Sequence, residues 1–372
     1  MHILFAGGGT AGHINPAIAV AGYIKSKYPD CKISFIGTKK GMENRLVPMS
    51  GYDFYSIDVA GFQRKITVKN IFKNIDAVRK VITSSVASKK LLKELKPDVV
   101  FGTGGYVCGP VLREAVKLGI KTAVHEANAY PGVTIKMLAP IVDLVMIAME
   151  DAVKNVKPKN PPIITGNPIR ANLTDLTKEQ ARKKLGIPQK ANVLLSFGGS
   201  LGAKVINNAM LEVIKQDLEL KEFYVYHATG SYGHSSFMEE LGKLSFDPNN
   251  GLINVYEYID NMDVLMAAAD LVICRAGAMT VNELQVCGKP SILIPSPYVA
   301  ENHQFHNAMS LKKNNAAELI EEKDLDGRVL LETVRRLFSN KKNLDTMSKY
   351  AKEISKPDAD RIIAEELLKL MK

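Results

Sequence analysis

Two stretches half a chain apart share one design. ILFAGGGTAGHINPAIA begins at Ile3, and LLSFGGSLGAKVINNAM runs from Leu194 to Met210. In each, an apolar run short enough for a buried strand stops at a glycine turn, and a helix-patterned segment with small residues at its start follows. A buried strand feeding a helix through glycines opens a doubly wound parallel sheet, and its repetition predicts two such sheets in tandem.

The rest of the chain keeps the alternation. Short apolar runs recur at Ile3–Ala6, Ile33–Ile36, Val99–Phe101, Thr122–Val124, Leu144–Ile147, Val193–Phe197, Phe223–His227, Ile253–Tyr256, Leu271–Ile273 and Ser291–Ile294. Between them Pro16–Lys27, Ser84–Leu95, Val111–Leu118, Lys204–Lys215 and Thr280–Val286 show helical spacing. Strands alternating with helices imply an α/β protein whose parallel sheets are covered on both faces. The polar stretch between Ile164 and Asn192, rich in Lys and Pro, suits the joint. The expected division is an N-terminal domain over residues 1–165, a C-terminal domain over 166–355, and an amphipathic helix in 356–372 packing back on the N-terminal domain.

A length of 372 residues suits two domains, and 46% hydrophobic with 24% charged residues describes a soluble globular protein. Cys31, Cys108, Cys274 and Cys287 have no metal-ligand spacing and read as reduced thiols of a cytosolic protein. The first residues lack a signal-peptide apolar region, and no apolar run approaches the ~20 residues that span a bilayer.

Gly7, Gly9 and Gly12 match the G-x-G-x-x-G spacing of a dinucleotide loop. Such a site also needs an acid at the end of the second strand, to hold ribose hydroxyls. Here that strand runs into Gly37, Thr38 and Lys39, and no acid follows until Glu43. The dinucleotide reading therefore weakens, and the lack of Gly-Lys-Ser/Thr excludes a P-loop. His13 stands at the start of the following helix, where the neutral imidazole is favoured and suits a general base. A histidine that merely packs or caps the helix is the alternative.

The formal charge of +10 is concentrated. Between Phe62 and Lys96 stand ten basic residues (Arg64, Lys65, Lys69, Lys73, Arg79, Lys80, Lys89, Lys90, Lys93 and Lys96), opposed by Asp76 and Glu94 alone. A local basic face attracts nucleic acid or an anionic membrane surface. Ile66, Val68, Ile71, Phe72, Ile75, Val78 and Val81 are interleaved with it, which suits peripheral docking. A solvated face over ordinary core residues has the same pattern. Nucleic acid is disfavoured by the lack of aromatic interleaving and of any nucleic-acid motif.

The second half is most informative at ADLVICRAGAMTVNELQVCGKPSILIPSP, Ala269–Pro297. It reads as a strand, an Arg275–Ala278 turn, a helix carrying Glu283, and another strand. The turn amides and helix N-terminus offer an anion site. Glu283 suits vicinal hydroxyls such as those of a ribose, or simply complements the helix dipole. Glu301–Ala308 then gathers His303, Gln304 and Asn307, a cluster suited to sugar hydroxyls.

With those blocks in place, the chain resembles the GT-B glycosyltransferases of family 28. GGGTAGHINPAIA, GTGGYVCGP (Gly102–Pro110), HEANAYPG (His125–Gly132), GNPIR (Gly166–Arg170), GGSLGA (Gly198–Ala203), RAGAMTVNEL (Arg275–Leu284) and HQFHNA (His303–Ala308) occur in family order over nearly the whole chain. The resemblance implies two Rossmann-like domains facing across a cleft. It also implies transfer of N-acetylglucosamine from UDP-GlcNAc to lipid I, the undecaprenyl-pyrophosphoryl-MurNAc-pentapeptide, to give lipid II for peptidoglycan. Rivals with related architecture are a diacylglycerol glycosyltransferase and a UDP-GlcNAc 2-epimerase.

Site roles follow from the resemblance. Thr10, Ala11, Gly12, Asn128, Arg170, Ser200, Ile259, Arg275, Gln304 and Asn307 would bind the donor. So would Ala278, Met279, Thr280, Val281, Asn282 and Glu283, with no chemistry assigned to the side chains of Met279 and Asn282. The Ile259 backbone would read the uracil edge, Glu283 the ribose, and Ser200 with the turn amides the diphosphate. Gln304, Asn128 and Asn307 would hold the sugar. Gly8, Gly9, Gly104, Gly105 and Tyr106 would seat the acceptor's pyrophosphate. His13 is the leading candidate base; His125 and Glu126 are second candidates, or a buried pair that orients its loop. Asp324/Asp326 and Asp358/Asp360 have the Asp-x-Asp spacing of a metal site but lie in charged helical surroundings, so a metal-independent reaction is expected. The acceptor implies a peripheral protein on the cytoplasmic face of the membrane, docked by segment 62–96, with cell-wall synthesis or division proteins as further partners.

Overall fold

The apolar run after Met1 forms β1 (His2–Gly7), whose first five residues are buried. In this computed structural model, which describes residues 1–59, 83–169, 172–244 and 251–371, β1 lies inside a seven-stranded sheet ordered β3-β2-β1-β4-β5-β6-β7. The other strands are β2 (Lys32–Gly37), β3 (Asp53–Ser56), β4 (Val99–Gly104), β5 (Lys121–Glu126), β6 (Leu144–Ile147) and β7 (Ile163–Ile164), and every pairing is parallel. Helices α1 (Ala11–Lys27), α2 (Glu43–Met49), α3 (83–95), α4 (Cys108–Lys117) and α5 (Val133–Leu138) connect them. Side chains alternate across the pleat, so each strand feeds two cores. Phe5 stacks on Phe35 at 4.9 Å and meets Phe101 edge-on at 5.6 Å on one face, while Leu4, Ala6, Ile36 and Val100 pack on the other.

The second sheet repeats the plan with six parallel strands ordered β10-β9-β8-β11-β12-β13. They are β8 (Asn192–Phe197), β9 (Phe223–Ala228), β10 (Ile253–Tyr256), β11 (Leu271–Cys274), β12 (Ser291–Leu293) and β13 (Ala317–Leu319). Helices α6 (Lys178–Leu185), α7 (Lys204–Asp217), α8 (His234–Gly242), α9 (Met262–Ala268), α10 (Ala278–Cys287), α11 (His303–Lys313), α12 (Gly327–Phe338) and α13 (Lys341–Glu353) complete it. The final helix, α14 (Ala359–Leu370), buries Ile363, Ala364 and Leu367 in the Phe5 core beside α1. By contact, Met1–Ile169 with Pro357–Lys372 form one unit, and Arg170–Lys356 the other.

In both sheets the strand order reverses at the first strand, which has the second strand on one side and a later one on the other. Ligands of parallel sheets bind at the carboxyl ends beside such a reversal. The glycine motifs lie at those ends: Gly8–Thr10 and Gly104–Tyr106 after β1 and β4, Gly198–Gly202 and Arg275–Gly277 after β8 and β11. Among the described residues no helix is long and apolar enough to cross a membrane.

Candidate active site

In the N-terminal unit the two glycine turns touch. Gly105 has φ of +85°, and a Cβ there would lie 2.4 Å from the Gly8 carbonyl oxygen, so any larger residue would push the loops apart. A Cβ on Gly104 would lie 2.7 Å from Cδ2 of His13, so the imidazole rests on the second turn. Gly8, Gly9, Gly104, Gly105, exposed Tyr106 and half-buried His13 are thus brought together. Beneath them Cys108 Sγ accepts the Gly104 N–H at 3.2 Å and faces the Ala6 and Gly104 carbonyls at 3.0 and 3.1 Å. Burial pushes this thiol up to about 12, so it is a neutral S–H that ties β1 to the second turn.

His13 Nδ1 lies 3.1 Å from the Gly8 carbonyl oxygen and 3.3 Å from Thr10 Oγ1. A carbonyl only accepts, so the ring proton sits on Nδ1 in that contact. The lone pair of the neutral ring is then on Nε2.

His125 and Glu126 end β5 and are buried. His125 Nε2 is 2.9 Å from the Gly166 carbonyl, and burial lowers its pKa to about 4. Glu126 accepts from the Asn128 N–H and Nδ2 at 2.9 and 3.0 Å and from the Gly132 N–H at 2.8 Å. Its pKa is raised by burial, partly opposed by these bonds. Glu126 thus ties down the 127–132 loop and holds half-buried Asn128, while His125 joins the end of β5 to Gly166. Thr10 is exposed and Gly12 half-buried at the α1 start, next to Ala11. Arg170 lies outside the described residues, as do residues 62–82 of the basic segment.

In the C-terminal unit Gly277 precedes α10, whose first-turn amides at Ala278, Met279 and Thr280 are those a helix leaves open. Val281, Asn282 and Glu283 are buried along the same helix, and Ser200 is exposed in the turn after β8. Ile259 is buried in the loop after β10. Gln304 Oε1 accepts the Ser296 N–H at 2.9 Å, leaving its NH2 group without a protein partner among the described residues.

Two residues have protein partners that the motifs alone do not show. Asn307 is fully buried and donates to the Ala276 carbonyl at 3.0 Å, so it fixes the 275–277 turn from beneath. Arg275 donates to the Ile294 carbonyl and pairs with Glu322 at 2.7 Å. Its charge is already partnered, which a reading of the motif alone does not reveal. Of the Asp-x-Asp pairs, Asp326 caps α12 by accepting the Val329 N–H at 2.7 Å, and Asp358 pairs with Arg361 at the start of α14. A cavity of about 520 Å³ in this unit is lined by Asn192, Asp270 and Pro290, at the amino ends of the strands and away from the motifs.

Two family models match the chain. The glycosyltransferase family 28 N-terminal domain matches residues 3–147, and the family 28 C-terminal domain matches 193–362. A protein of Acetivibrio thermocellus named UDP-N-acetylglucosamine--N-acetylmuramyl-(pentapeptide) pyrophosphoryl-undecaprenol N-acetylglucosamine transferase is 45% identical over 100% of this chain and 99% of its own. The chain belongs to glycosyltransferase family 28. Among solved structures, Acinetobacter baumannii MurG superposes with a TM-score of 0.81 at 29% identity, covering 99% of each chain. The UDP-GlcNAc 2-epimerase of Neisseria meningitidis, at 16% identity and a TM-score of 0.68 over 99% of this chain and 100% of its own, shares the fold alone. The two-sheet plan is therefore the GT-B architecture of family 28, and this member is a glycosyltransferase.

Proposed function

We propose that this family 28 enzyme moves GlcNAc from UDP-GlcNAc to the muramyl 4-hydroxyl of undecaprenyl-pyrophosphoryl-MurNAc-pentapeptide, giving lipid II. The full-length identity of 45% to a transferase of that name carries the reading. One in-line displacement inverts the anomeric carbon. His13 Nε2 takes the hydroxyl proton, the oxygen bonds to the anomeric carbon, and the bond to the UDP oxygen breaks with its electron pair. The open amides of α10 and the Ser200 turn face the departing diphosphate, a fixed-dipole stabilisation that needs no metal. Glu283, Ile259 and Gln304 serve ribose, uracil and sugar, while Arg275 acts through the Glu322 pair that sets its position. The Gly104–Tyr106 turn, which abuts Gly8, seats the acceptor's pyrophosphate, because the Gly9 amide is already taken by Glu43.

The enzyme works as a peripheral protein on an anionic leaflet. The described end of the basic segment supports this: Lys89, Lys90 and Lys93 on α3, and Lys96 beyond it, are exposed, with Val86 66% exposed among them.

Labelled UDP-GlcNAc is incubated with lipid I or with diacylglycerol, with and without EDTA. Transfer to lipid I in both conditions is expected. No transfer to lipid I sinks the reading, and loss of activity in EDTA sinks its metal-free part. Flotation with anionic vesicles, set against a nucleic-acid shift assay, tests the membrane partner.

A further inference from the structure

The first acid after β2 is turned inward. Glu43 is 1% exposed, and its carboxylate lies between the ends of β1 and β2. Oε2 accepts the Gly9 N–H at 3.1 Å; Oε1 accepts the Thr38 N–H at 2.9 Å and the Thr38 hydroxyl at 2.8 Å. The room for it is made by glycines. A Cβ on Gly8, Gly37 or Gly41 would lie 2.3, 2.4 or 2.2 Å from Glu43 side-chain atoms.

In a dinucleotide fold this crevice takes the pyrophosphate on the glycine amides and the ribose on an acid at the end of β2. Here Thr38 stands near the acid's place and the Gly9 amide is already used. Glu43 supplies the negative charge itself. We infer that Glu43 is a resident anion that fills the β1–β2 crevice and closes that crevice to nucleotides, a specificity device for the transfer reaction. The inference rests on the reading above, in which the nucleotide belongs mainly to the C-terminal unit and the N-terminal glycine turns serve chiefly the acceptor. Burial would raise the Glu43 pKa, but its bonds from Thr38 and Gly9 outweigh that and leave it below the usual carboxylate range. The group is therefore ionised at neutral pH and repels a phosphate brought to the β2 side of the loop, whereas the acceptor's pyrophosphate is assigned to the Gly104–Tyr106 turn on the β4 side.

The test uses the full chain and ADP-ribose, a nucleotide diphosphate without uracil. Calorimetry compares the wild type with Glu43→Gln, which keeps the shape and removes the charge, and with Glu43→Ala, which empties the crevice. Both variants are expected to bind ADP-ribose at least ~10-fold more tightly than the wild type, a gain that a built-in repulsive element predicts on its removal. A folded variant by circular dichroism with unchanged ADP-ribose affinity overturns the inference, as does a lowered melting temperature with no gain in binding. Wild-type transfer to lipid I is measured separately, so failure of the reading and failure of this inference are told apart.

Discussion

Nδ1 of His13 lies 3.1 Å from the carbonyl oxygen of Gly8, so the loop that the histidine follows also fixes which ring nitrogen carries its proton. The relationship separates two roles that one substitution would confuse. His13→Ala loses both the loop contact and Nε2. His13→Asn keeps an N–H donor near the Nδ1 position and loses only the base. Both should lower kcat by ~10²- to 10⁴-fold, the usual worth of a positioned base, with the donor KM little changed. Steady-state kinetics decides it: near-normal turnover in His13→Asn would leave the imidazole a loop-holding role alone.

The Cys108 thiol joins Ala6 and Gly104 and is neutral at any working pH. Cys31 and Cys274 are also buried, and burial raises the Cys287 thiol to about 11. All four should resist iodoacetamide at pH 8 in the native chain and react on unfolding, as followed by intact mass. Cys108→Ala removes the sulfur that satisfies the Gly104 N–H, and should cost about 1–3 kcal/mol in urea unfolding. It should also raise the acceptor KM more than the donor KM, because the second glycine turn loses its anchor.

How much of this was legible depends on what neighbours each segment. β6 and the edge strand β10 begin and end where the short runs do, and the other expected strands differ by a residue or a few, because most strands in a covered parallel sheet read as unbroken apolar runs. β3 (DFYS) and β13 (AEL) are outer strands of mixed composition, and β7 is two residues long, so none carries such a run. Pro16 marks no helix start: α1 begins five residues earlier, which places His13 inside its first turn. Motif spacing located the glycine turns and α10. It could not reveal that Asn307 points beneath its turn, that Arg275 has Glu322 for a partner, or that Glu43 returns to Gly9 across 34 positions of sequence. Those are contacts between segments, and no local pattern encodes them.

The Arg275–Glu322 pair is 16% and 13% exposed, so each charge depends on the other. Glu322→Ala leaves the guanidinium with only the Ile294 carbonyl among the described residues and should destabilise the C-terminal unit by about 2–4 kcal/mol, near the range for breaking a buried pair. Replacing both residues, Arg275→Met with Glu322→Leu, should recover much of that loss in thermal melts while donor binding stays impaired. Recovery of donor affinity together with stability would remove Arg275 from the diphosphate site.

Two buried groups of the C-terminal unit titrate in opposite senses. Burial lowers His227, packed 4.9 Å from the Phe237 ring, to about 3; burial raises Asp217 to about 6 despite the Glu222 and Phe223 N–H groups it accepts. The unfolded histidine takes its proton near pH 6.5 and the folded one does not, so its contribution is lost as pH falls from about 6.5 towards 3. The folded aspartate takes a proton that the unfolded one takes only near 3.8, so its contribution is lost as pH rises from about 4 to 6. Each changes stability by at most ~1.4 kcal/mol per pH unit, and between pH 4 and 6 they offset each other. His227→Phe removes one side of the balance. Relative to the wild type, its urea midpoint should rise as pH falls from 6 to 4, whereas that of Asp217→Asn should fall. Far-UV circular dichroism reports the midpoint in a chain without tryptophan. Parallel pH profiles for wild type and both variants would show that neither group sets the stability of this unit.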